Sequence, residues 1–418
     1  MRPDLDSPCI GTVYDDIWLV NGMRTGFADY NGTLGQVSPT DLGIAAARAA
    51  LERSGVPASD VELVIATNLA QASFDAYYLP RHIGLYAGVP RHVPATLVHR
   101  LCGSGFETIA HACDAIKLGK ADVVLCAGAE SMSRNPVASY TLRGGFAMGR
   151  VEFKDFLWEA FLDTAPEATM GHTAENLARE YGIDREAVDD FAALSFARAV
   201  EAQRSGYLAG EIVPLTDQTF EAEGCRPRGI RLPRGVEQFD RDEHIRETPR
   251  EVLGRLKPAF GGVQTGGNSS GIVDGAAACL VVSGRYLRER GLTPLARVAG
   301  ATAVGVPPEI MGIGPAPAIR GLLRQSGLAL EQVGRFEINE AFGAQYLAVE
   351  RELGLDRERV NVHGGAIAIG HPLGATGLRC TLTLARELQA SGERYGVSSA
   401  CCGGGQGVAL LLENAGAA

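Results

Sequence analysis

The feature that most restricts the fold is an internal repeat with a constant spacing of 272 residues. The segment "SGVPASDVELVIATN" (54–68) aligns without gaps with "SGLALEQVGRFEINE" (326–340). The same spacing places "CGSG" (102–105) on "GATG" (374–377), and "DVVLCAGAE" (122–130) on "RYGVSSACC" (394–402). One matched segment carries little weight, but a register kept over three segments favours two similar halves that pack together. The alternative is that two α/β units share turn residues by chance.

Short β-rich runs alternate with helical stretches in the first half. The runs are "IWLVNG", "VELVIATN" and "DVVLCAGAE", and helices are predicted at 39–54 and near 105–118. Such alternation is typical of parallel strands covered by helices. The sequence therefore predicts an α/β fold.

A segment without a counterpart at the 272-residue spacing interrupts this pattern. Residues from about 131 to 258 hold connectors rich in Pro and Arg, a strongly helical stretch and a charged loop, "RDEHIRETPREVLGRLKP". We interpret this segment as a mainly helical loop domain inserted in the first half. The predicted division is an N-terminal tail at 1–12, a first half at 13–284 that contains the insertion, and a second half at 292–416.

The balance of charge excludes several classes of protein. The chain has 39 Lys and Arg against 49 Asp and Glu, a formal net charge of −10, whereas a sequence-independent nucleic-acid binder needs a basic face. No apolar stretch approaches the roughly 18 residues of a membrane span. The opening residues are acidic where a signal or transit peptide would be basic. We therefore expect a cytoplasmic protein with neither a nucleic-acid nor a membrane partner.

Nine cysteines are scattered through the chain. They form no Cys-x-x-Cys pair and have no matching histidines, so the sequence predicts neither a disulfide framework nor a zinc site. Most of them fit small buried apolar side chains. Cys102 and the adjacent pair Cys401 and Cys402 differ because glycines flank them.

Three loops carry residues that could take part in a chemical reaction. Cys102 stands where a strand-like run meets a Gly-Ser-Gly turn that opens a helix, so its thiolate would be stabilised and its pKa lowered, as for a nucleophile; a buried structural cysteine is the alternative. On the equivalent loop of the second half, His371 could act as a base or an N–H donor, or only fill a turn. Asn339 and Glu340 end a strand and could orient a water, polarise a carbonyl or cap the next helix.

These segments resemble those of the thiolase family. The matching motifs are "RLCGSGF", "AGAESMS", "MGHTAENLA", "NSSGIVDGAAA", "NEAFGAQYLAVE", "GGAIAIGHPLGATG" and "CCGGGQG", in the family's order from about residue 13 to residue 413. The stretches "DAYYLPRHIGLYAGVP", "MGIGPAPAI" and "SACCGGGQG" look most similar to the 3-ketoacyl-CoA thiolases of fatty-acid degradation. The resemblance implies a layered α-β-α-β-α core of two similar halves. It also implies CoA-dependent cleavage of 3-ketoacyl-CoA to acetyl-CoA and a shortened acyl-CoA.

The resemblance also implies the roles of individual residues. Cys102 matches the nucleophile that carries the acyl group, His371 the residue that activates it, and Cys401 the second thiol, which moves a proton. Asn339 matches the residue that holds a water in one oxyanion hole, with His371 as its co-donor. The backbone N–H groups of Cys102 and Gly403 match the other hole. A covalent acyl-enzyme predicts ping-pong kinetics, and no metal or redox cofactor is expected because coenzyme A is a substrate.

CoA and acyl-CoA thioesters are the implied partners, bound mainly by the inserted segment. By resemblance, Arg246 faces the nucleotide and Ser270 contacts the pantetheine. The remaining implied CoA- and substrate-binding residues are Met170, Met311, Ala341 and Phe342. Each has an ordinary alternative as an exposed arginine, a serine in a turn, or a core residue. The resemblance implies a homo-oligomer, either a dimer or a tetramer.

Three positions depart from the family pattern. His99 and His363 stand where asparagines are usual, and Cys402 stands where an apolar residue is usual. We interpret Cys402 as packing. We expect the two histidines to be structural and to lie near one another, close to the active site or a subunit junction.

Two other functions stay open. The same catalyst could act mainly in the condensation of two acetyl-CoA units to acetoacetyl-CoA. A non-catalytic CoA-binding protein on the same fold is the alternative of another class, which the set Cys102, Asn339, His371 and Cys401 opposes. The length of the acyl chain is not readable from the sequence, because one wall residue of an apolar channel changes selectivity by only about 1–3 kcal/mol.

Overall fold

The computed structural model describes residues 8–71, 76–140 and 142–416 of the chain. Its strands are β1 Ile10–Val13, β2 Ile17–Thr25, β3 Ala28–Asp29, β4 Leu63–Thr67, β5 Ala95–Leu97, β6 Val123–Glu130, β7 Val137–Ala138, β8 Lys154–Asp155, β9 Leu162–Asp163, β10 Ala168–Thr169, β11 Ile212–Val213, β12 Gln218–Phe220, β13 Arg228–Ile230, β14 Val273–Ser283, β15 Ala296–Gly305, β16 Val333–Ile338, β17 Tyr395–Cys402 and β18 Gln406–Asn414. Its α-helices are α1 Pro39–Ser54, α2 Leu79–Tyr86, α3 Ser104–Lys117, α4 Phe156–Ala160, α5 Met170–Tyr181, α6 Arg185–Arg204, α7 Arg250–Leu253, α8 Gly284–Arg290, α9 Pro315–Ser326, α10 Gly343–Leu353, α11 Ala366–Ile369 and α12 Leu373–Ser391.

A twelve-stranded sheet runs through both halves. Its main path is β16-β17-β18-β15-β2-β14-β6-β4-β5, and β1, β3 and β11 pair beside it with β15, β14 and β2. Every residue of β6 and β14 is buried. Their apolar composition therefore follows from their central position, where both faces of the sheet are covered.

The two halves share one strand connectivity. In the first half β4 is parallel to β6, β6 is antiparallel to β14, and β14 is antiparallel to β2. In the second half β16, β17, β18 and β15 have the same relations in the same order. β6 and β17 keep the spacing predicted by the repeat, because Val123 and Tyr395 begin them and Glu130 and Cys402 end them. The α/β fold with two similar halves is confirmed.

Helices cover the sheet and also separate its halves. α1 packs on β2, β14 and β6, whereas α9 packs on β15, β17 and β18. α3 and α12 pack on each other and on strands of both halves, so they lie between the halves. The predicted helix at 39–54 has the observed bounds of α1, since the Ser38 side chain caps its first turn and Gly55, at φ 70°, ends it. Within the described ranges, none of the helices combines the length and the apolar character that a membrane span requires.

The inserted segment is anchored on the first half by a buried ion network. Arg24 of β2 donates from Nε to Glu211 at 2.7 Å, and from its two terminal nitrogens to Asp242 at 2.6 and 2.8 Å. All three side chains are fully buried. Removing one partner would leave an uncompensated charge inside the protein, which costs about 3–5 kcal/mol. The segment is therefore a fixed part of the structure around the site described below.

Candidate active site

Cys102 lies in the turn between β5 and α3. Leu101, just before it, has φ 48°, in the left-handed region that side chains rarely adopt. Ser104 holds this turn, because its hydroxyl donates to Leu101 O at 2.6 Å and accepts from Arg100 N at 2.8 Å. The half-buried Cys102 thiol is thereby fixed at the start of α3.

The pKa of the Cys102 thiol differs from the prediction. Burial raises this pKa to about 11, although the backbone N–H groups of Gly403 and of Cys102 itself lower it. The predicted lowering by the helix N-terminus is wrong, because the loss of hydration outweighs the nearby N–H groups. At pH 7 the thiol is neutral, and a reaction through its sulfur needs a base. The two N–H groups near the sulfur are those implied for one oxyanion hole.

His371 is held as a neutral imidazole with its lone pair on Nε2. Its Nδ1 lies 2.6 Å from the hydroxyl of Thr376, and that hydroxyl donates to Pro372 O at 3.1 Å. Since the hydroxyl has a single proton, it accepts from Nδ1–H, which assigns the lone pair to Nε2. Burial, and after it the charge of Arg379, lowers the pKa of His371 to about 3. His371 is therefore neutral at rest, and Nε2 is its accepting nitrogen.

Asn339 follows β16 and reaches the same imidazole. Its backbone N–H donates to Ser399 O at 2.9 Å, which joins it to β17. Its Nδ2 lies 3.4 Å from Nε2 of His371. Its Oδ1 is buried and has no hydrogen-bond partner among the described residues. Buried amide oxygens are normally paired, so this atom fits a residue that holds a water or a substrate oxygen.

Glu340 has a supporting position. Its carboxylate accepts from Ser195 Oγ at 2.6 Å, from Asn361 Nδ2 at 2.8 Å and from Ile367 N at 3.2 Å. The N-cap residue of the next helix, α10, is Phe342. Neither Asn339 nor Glu340 caps that helix, and Glu340 fixes the loop that leads to His371.

The two adjacent cysteines point to opposite sides of β17. Cys401 is fully buried against Met311 and Ala341, and burial followed by the charge of Cys102 raises its pKa. The Cys402 sulfur packs on Gly103 and belongs to the main hydrophobic core. Alternation along a strand explains the difference. Cys401 therefore faces the site, whereas Cys402 packs the interior.

The glycines after Cys402 make a tight turn into β18. Gly404 and Gly405 have φ angles of 74° and 81°, which glycine adopts without steric cost. The turn returns the chain immediately, and Gly403 is left with its N–H at the Cys102 sulfur. The backbone conformation of these glycines thus places the Gly403 N–H beside Cys102.

Two cavities meet near Cys102. The first, of about 230 Å³, is lined by Cys102, by Gly403 and by apolar side chains, among them Leu69 and Leu373. The second, of about 480 Å³, is lined by Arg246, Ser270, Phe342 and mostly apolar neighbours. Phe161 and Met170 line both cavities. The two cavities are therefore adjacent, and a ligand that occupied both would extend to the thiol.

The residues implied for CoA binding divide between two places. Arg246, Ser270, Met170 and Phe342 line the second cavity. Arg246 is half-exposed, with a nitrogen 3.8 Å from Asp29. Met311 and Ala341 lie instead in the cluster around Cys401, where Met170 and Phe342 also pack.

Several residues of the site were absent from the sequence predictions. Thr376 could have been found, because a hydroxyl at the start of a helix beside a histidine is a plausible partner for the ring. Phe161 lines both cavities from the inserted segment, and Phe260 lines the second from the residues just after that segment. Neither stretch has a repeat partner, so no register was available to place them.

The two unusual histidines have different surroundings. The His363 ring stacks on Tyr207 with ring centroids 3.5 Å apart, and its Nε2 lies 2.8 Å from Glu387 of α12. His99 is exposed on the turn that leads to Cys102. The contacts of His363 within the described ranges are thus to α12 and the inserted segment.

Comparisons with known proteins identify relatives along nearly the whole chain. The model of the thiolase N-terminal domain matches residues 17–285, and that of the thiolase C-terminal domain matches residues 292–414. The chain is 42% identical over 402 residues to the human mitochondrial 3-ketoacyl-CoA thiolase, covering 95% of this chain and 98% of that protein. It is also 42% identical over 405 residues to an acetyl-CoA acetyltransferase of Pseudomonas aeruginosa, with 95% and 99% covered. A crystal structure of the human mitochondrial 3-ketoacyl-CoA thiolase in complex with CoA superposes with a TM-score of 0.89 at 42% identity, covering 96% of this chain and 98% of that one.

Proposed function

The chain belongs to the thiolase family, and from this premise we propose that it cleaves 3-ketoacyl-CoA with CoA, giving acetyl-CoA and an acyl-CoA two carbons shorter. The observation that carries the proposal is that groups from the two halves line one cavity. The half-buried Cys102 thiol and the Gly403 N–H share one cavity. Met170 links that cavity to the Cys401 cluster, while a neutral His371 and Asn339 lie together on the equivalent loops.

In the first half-reaction the Cys102 sulfur attacks the 3-keto carbon. His371 Nε2 takes the thiol proton, and the N–H groups of Cys102 and Gly403 stabilise the oxyanion. The bond between C2 and C3 then breaks, the acyl group stays on Cys102 as a thioester, and the electron pair moves to the acetyl-CoA enolate. Asn339 is placed to stabilise the enolate oxygen, through a water or directly. The Cys401 thiol gives a proton to C2, and acetyl-CoA leaves.

In the second half-reaction CoA receives the acyl group. The CoA thiol loses its proton to the Cys401 thiolate and attacks the acyl-Cys102 carbonyl. The Cys102 sulfur departs and recovers its proton from His371. Both thiols and the imidazole return to their starting states, so the proposal needs no metal and no redox cofactor. The sequence of two displacements predicts ping-pong kinetics.

The binding of CoA is assigned to the second cavity. Arg246 at its half-exposed rim suits a phosphate group, and Ser270 and Phe342 line the way toward Met170. The inserted segment supplies much of this cavity.

We keep as a proposal the division into a first half at 13–284 with an insertion at about 131–258 and a second half at 292–416, which the limits of the two family models support.

A second candidate function is condensation of two acetyl-CoA units. The name of the Pseudomonas aeruginosa relative, acetyl-CoA acetyltransferase, favours it, and the same groups catalyse the reverse reaction. We prefer the degradative direction, in fatty-acid breakdown, because relatives in both human and Bacillus subtilis carry the name 3-ketoacyl-CoA thiolase.

The deciding experiment measures thiolysis of acetoacetyl-CoA and of a 16-carbon 3-ketoacyl-CoA by chromatography of the CoA esters. The wild type should form acetyl-CoA from at least one of them, and Cys102→Ala should not. Cys225→Ala is the matched control, because this half-buried cysteine lies in the inserted segment away from both cavities. A folded wild type that cleaves neither substrate would contradict the proposal. The ratio of kcat/KM for the two substrates separates a short-chain acetyltransferase from a broad degradative enzyme.

Assembly and location complete the proposal. We propose a homodimer or homotetramer, for which β5 offers a sheet edge that a second copy can extend; light scattering after gel filtration measures the mass. We also propose a cytoplasmic location, since the two thiols must stay reduced and the cytoplasm keeps thiols reduced. The animal relatives are named as mitochondrial, so cell fractionation tests this point.

A further inference from the structure

Glu130 is a buried carboxylate behind the Cys102 cavity that no step above uses. It ends β6 and is 0% exposed. Asn68 Nδ2 and Ala70 N donate to its Oε1 at 2.9 and 3.1 Å. Leu69 N and Gly374 N donate to its Oε2 at 3.1 and 3.0 Å. These four donors match the roughly four lone-pair positions of a carboxylate.

One oxygen of this carboxylate joins the two halves of the protein. Leu69 belongs to the loop after β4, whereas Gly374 is the second residue of α12. The side chains of Leu69 and of Leu373, the neighbour of Gly374, line the Cys102 cavity and pack in one cluster with Cys102. The position of Oε2 therefore fixes the separation of two walls of the cavity.

The same carboxylate completes the N-terminus of α12. The N-cap residue of this helix is Pro372, which makes no side-chain capping bond. Glu130 supplies the cap from the other half by accepting from Gly374 N. Burial raises the pKa of Glu130 to about 7 against these N–H donors, so its carboxyl is partly ionised at neutral pH. α12 carries Thr376, which orients His371. A shift of this helix terminus would thus move the base together with the cavity wall.

We propose that Glu130 is a positioning residue that sets the width of the Cys102 cavity and thereby the acyl-chain length that the enzyme cleaves fastest. This inference rests on the proposed thiolase activity. An effect on the thiol accompanies it: after the larger effect of burial, which nearby N–H groups oppose, the charge of Glu130 adds to the raised pKa of Cys102. The carboxylate thus lies within electrostatic reach of the sulfur that it helps to place.

Glu130→Gln tests the inference without changing the size of the side chain. The amide has one accepting oxygen and one NH₂ group, so one of the two pairs of N–H donors loses its acceptor. Kcat for acetoacetyl-CoA should fall by about 10- to 100-fold, the scale of a small misplacement of catalytic groups. The ratio of kcat/KM for an eight-carbon to a four-carbon 3-ketoacyl-CoA should change by about fivefold or more. Glu130→Asp, which keeps the charge and all four lone pairs, should recover part of both values.

Glu413→Gln is the matched control. Glu413 is also a buried carboxylate at the end of a strand, but its partners are Arg297 and Arg394, and none of the three lines the Cys102 cavity. Glu413→Gln should lower the free energy of unfolding. It should leave the ratio of kcat/KM for the eight-carbon to the four-carbon substrate within about twofold of the wild type. A merely structural role of Glu130 would make the two variants alike.

The outcomes separate this inference from the proposed function. A wild type that cleaves no 3-ketoacyl-CoA overturns the function. An active wild type with an unchanged ratio in folded Glu130→Gln overturns only the role of Glu130, as does an equal change in Glu413→Gln. If Glu130→Gln does not fold, Glu130→Asp is measured instead. If neither folds, the residue serves folding and the positioning role is rejected.

Discussion

Gly105 and Gly377, which the internal repeat places 272 residues apart, lie against each other where α3 and α12 cross. A side-chain carbon on Gly105 would lie 2.8 Å from the backbone nitrogen of Gly377 and 2.9 Å from its Cα, closer than such carbons approach. Each half thus presents the same residue to the other. Both helices begin at loops of the candidate site, so this contact sets how closely the Cys102 and His371 loops approach.

Gly105→Ala should therefore destabilise the protein. Two backbone segments would have to separate, and overpacking of a core costs typically about 1–3 kcal/mol or somewhat more. Urea unfolding, monitored by circular dichroism, measures the loss of unfolding free energy. Gly144→Ala is the control, because Gly144 is exposed with open space around it, and it should change stability by less than about 0.5 kcal/mol. Equal stability of the two variants would show that the helices separate freely.

Substitutions of Cys102 and of Cys401 should have different effects on the reaction. Cys102→Ala should form no acyl-enzyme by mass spectrometry after addition of 3-ketooctanoyl-CoA and should lose thiolysis by about 10³-fold or more, because the nucleophile is gone. Cys401→Ser should slow both thiolysis and condensation, since a hydroxyl is a poorer proton donor and acceptor than a thiol. It should also slow the transfer of an acetyl group from acetyl-CoA onto Cys102, because the reverse of the second half-reaction needs Cys401 to give a proton to the departing CoA sulfur. Unchanged acetylation would remove Cys401 from the step that releases CoA.

The alkylation of Cys102 by iodoacetamide should depend strongly on pH. With a pKa of about 11, the reactive thiolate is the minor form at every pH below that value, and its fraction grows tenfold per pH unit. An unperturbed cysteine has a pKa of about 8.5 and is mostly thiolate at pH 10. Peptide mapping should show the labelling rate of Cys102 still rising between pH 9 and pH 10.5. A plateau by pH 8 would mean that His371 holds a thiolate in the resting protein.

Thr376→Val should lower kcat with little change in KM. The substitution removes the acceptor for His371 Nδ1–H, so the imidazole loses the bond that keeps Nε2 free, and a loss of about 10²-fold is expected. Thr376→Ser keeps the hydroxyl and should restore most of the rate. Thr381→Val is the control on the same helix, since this buried hydroxyl bonds Gly377 O instead. Similar kinetics for all three variants would remove Thr376 from the mechanism.

Arg246→Ala should raise KM for CoA by about tenfold and leave kcat nearly unchanged, because the side chain lies at the rim of the second cavity and not at the sulfur. The effect should shrink at high salt, which screens a half-exposed charge. Arg288→Ala is the control, since this exposed arginine pairs with Asp16 away from the cavity. A fall in kcat with constant KM would argue against a role in binding.

Some of this architecture follows from the sequence alone. The repeat predicted that β6 and β17 are equivalent strands of the two halves. It also predicted that the loops of Cys102 and of His371 correspond to each other. These features were readable because they depend on local patterns repeated at one spacing. The bounds of α1 were equally readable, since Ser38, Pro39 and Gly55 carry the signals of a helix start and end.

Other features depend on opposing electrostatic effects and on contacts between distant residues, which cannot be read from the sequence. The raised pKa of Cys102 reflects burial against two N–H groups, and the depth of burial is set by loops far along the chain. The bond from Glu130 to Gly374 joins residues 244 positions apart. Phe161 and Phe260 reach the cavities from stretches that no repeat constrains.

The arrangement of the sheet also has a consequence for biosynthesis. β2 is made well before its antiparallel neighbours β14 and β15, which follow it by about 250 and about 270 residues. Closing so long a loop delays the central pairing. This apolar strand therefore lacks both neighbours until they have been synthesised, and unpaired apolar strands are prone to aggregate during such a delay.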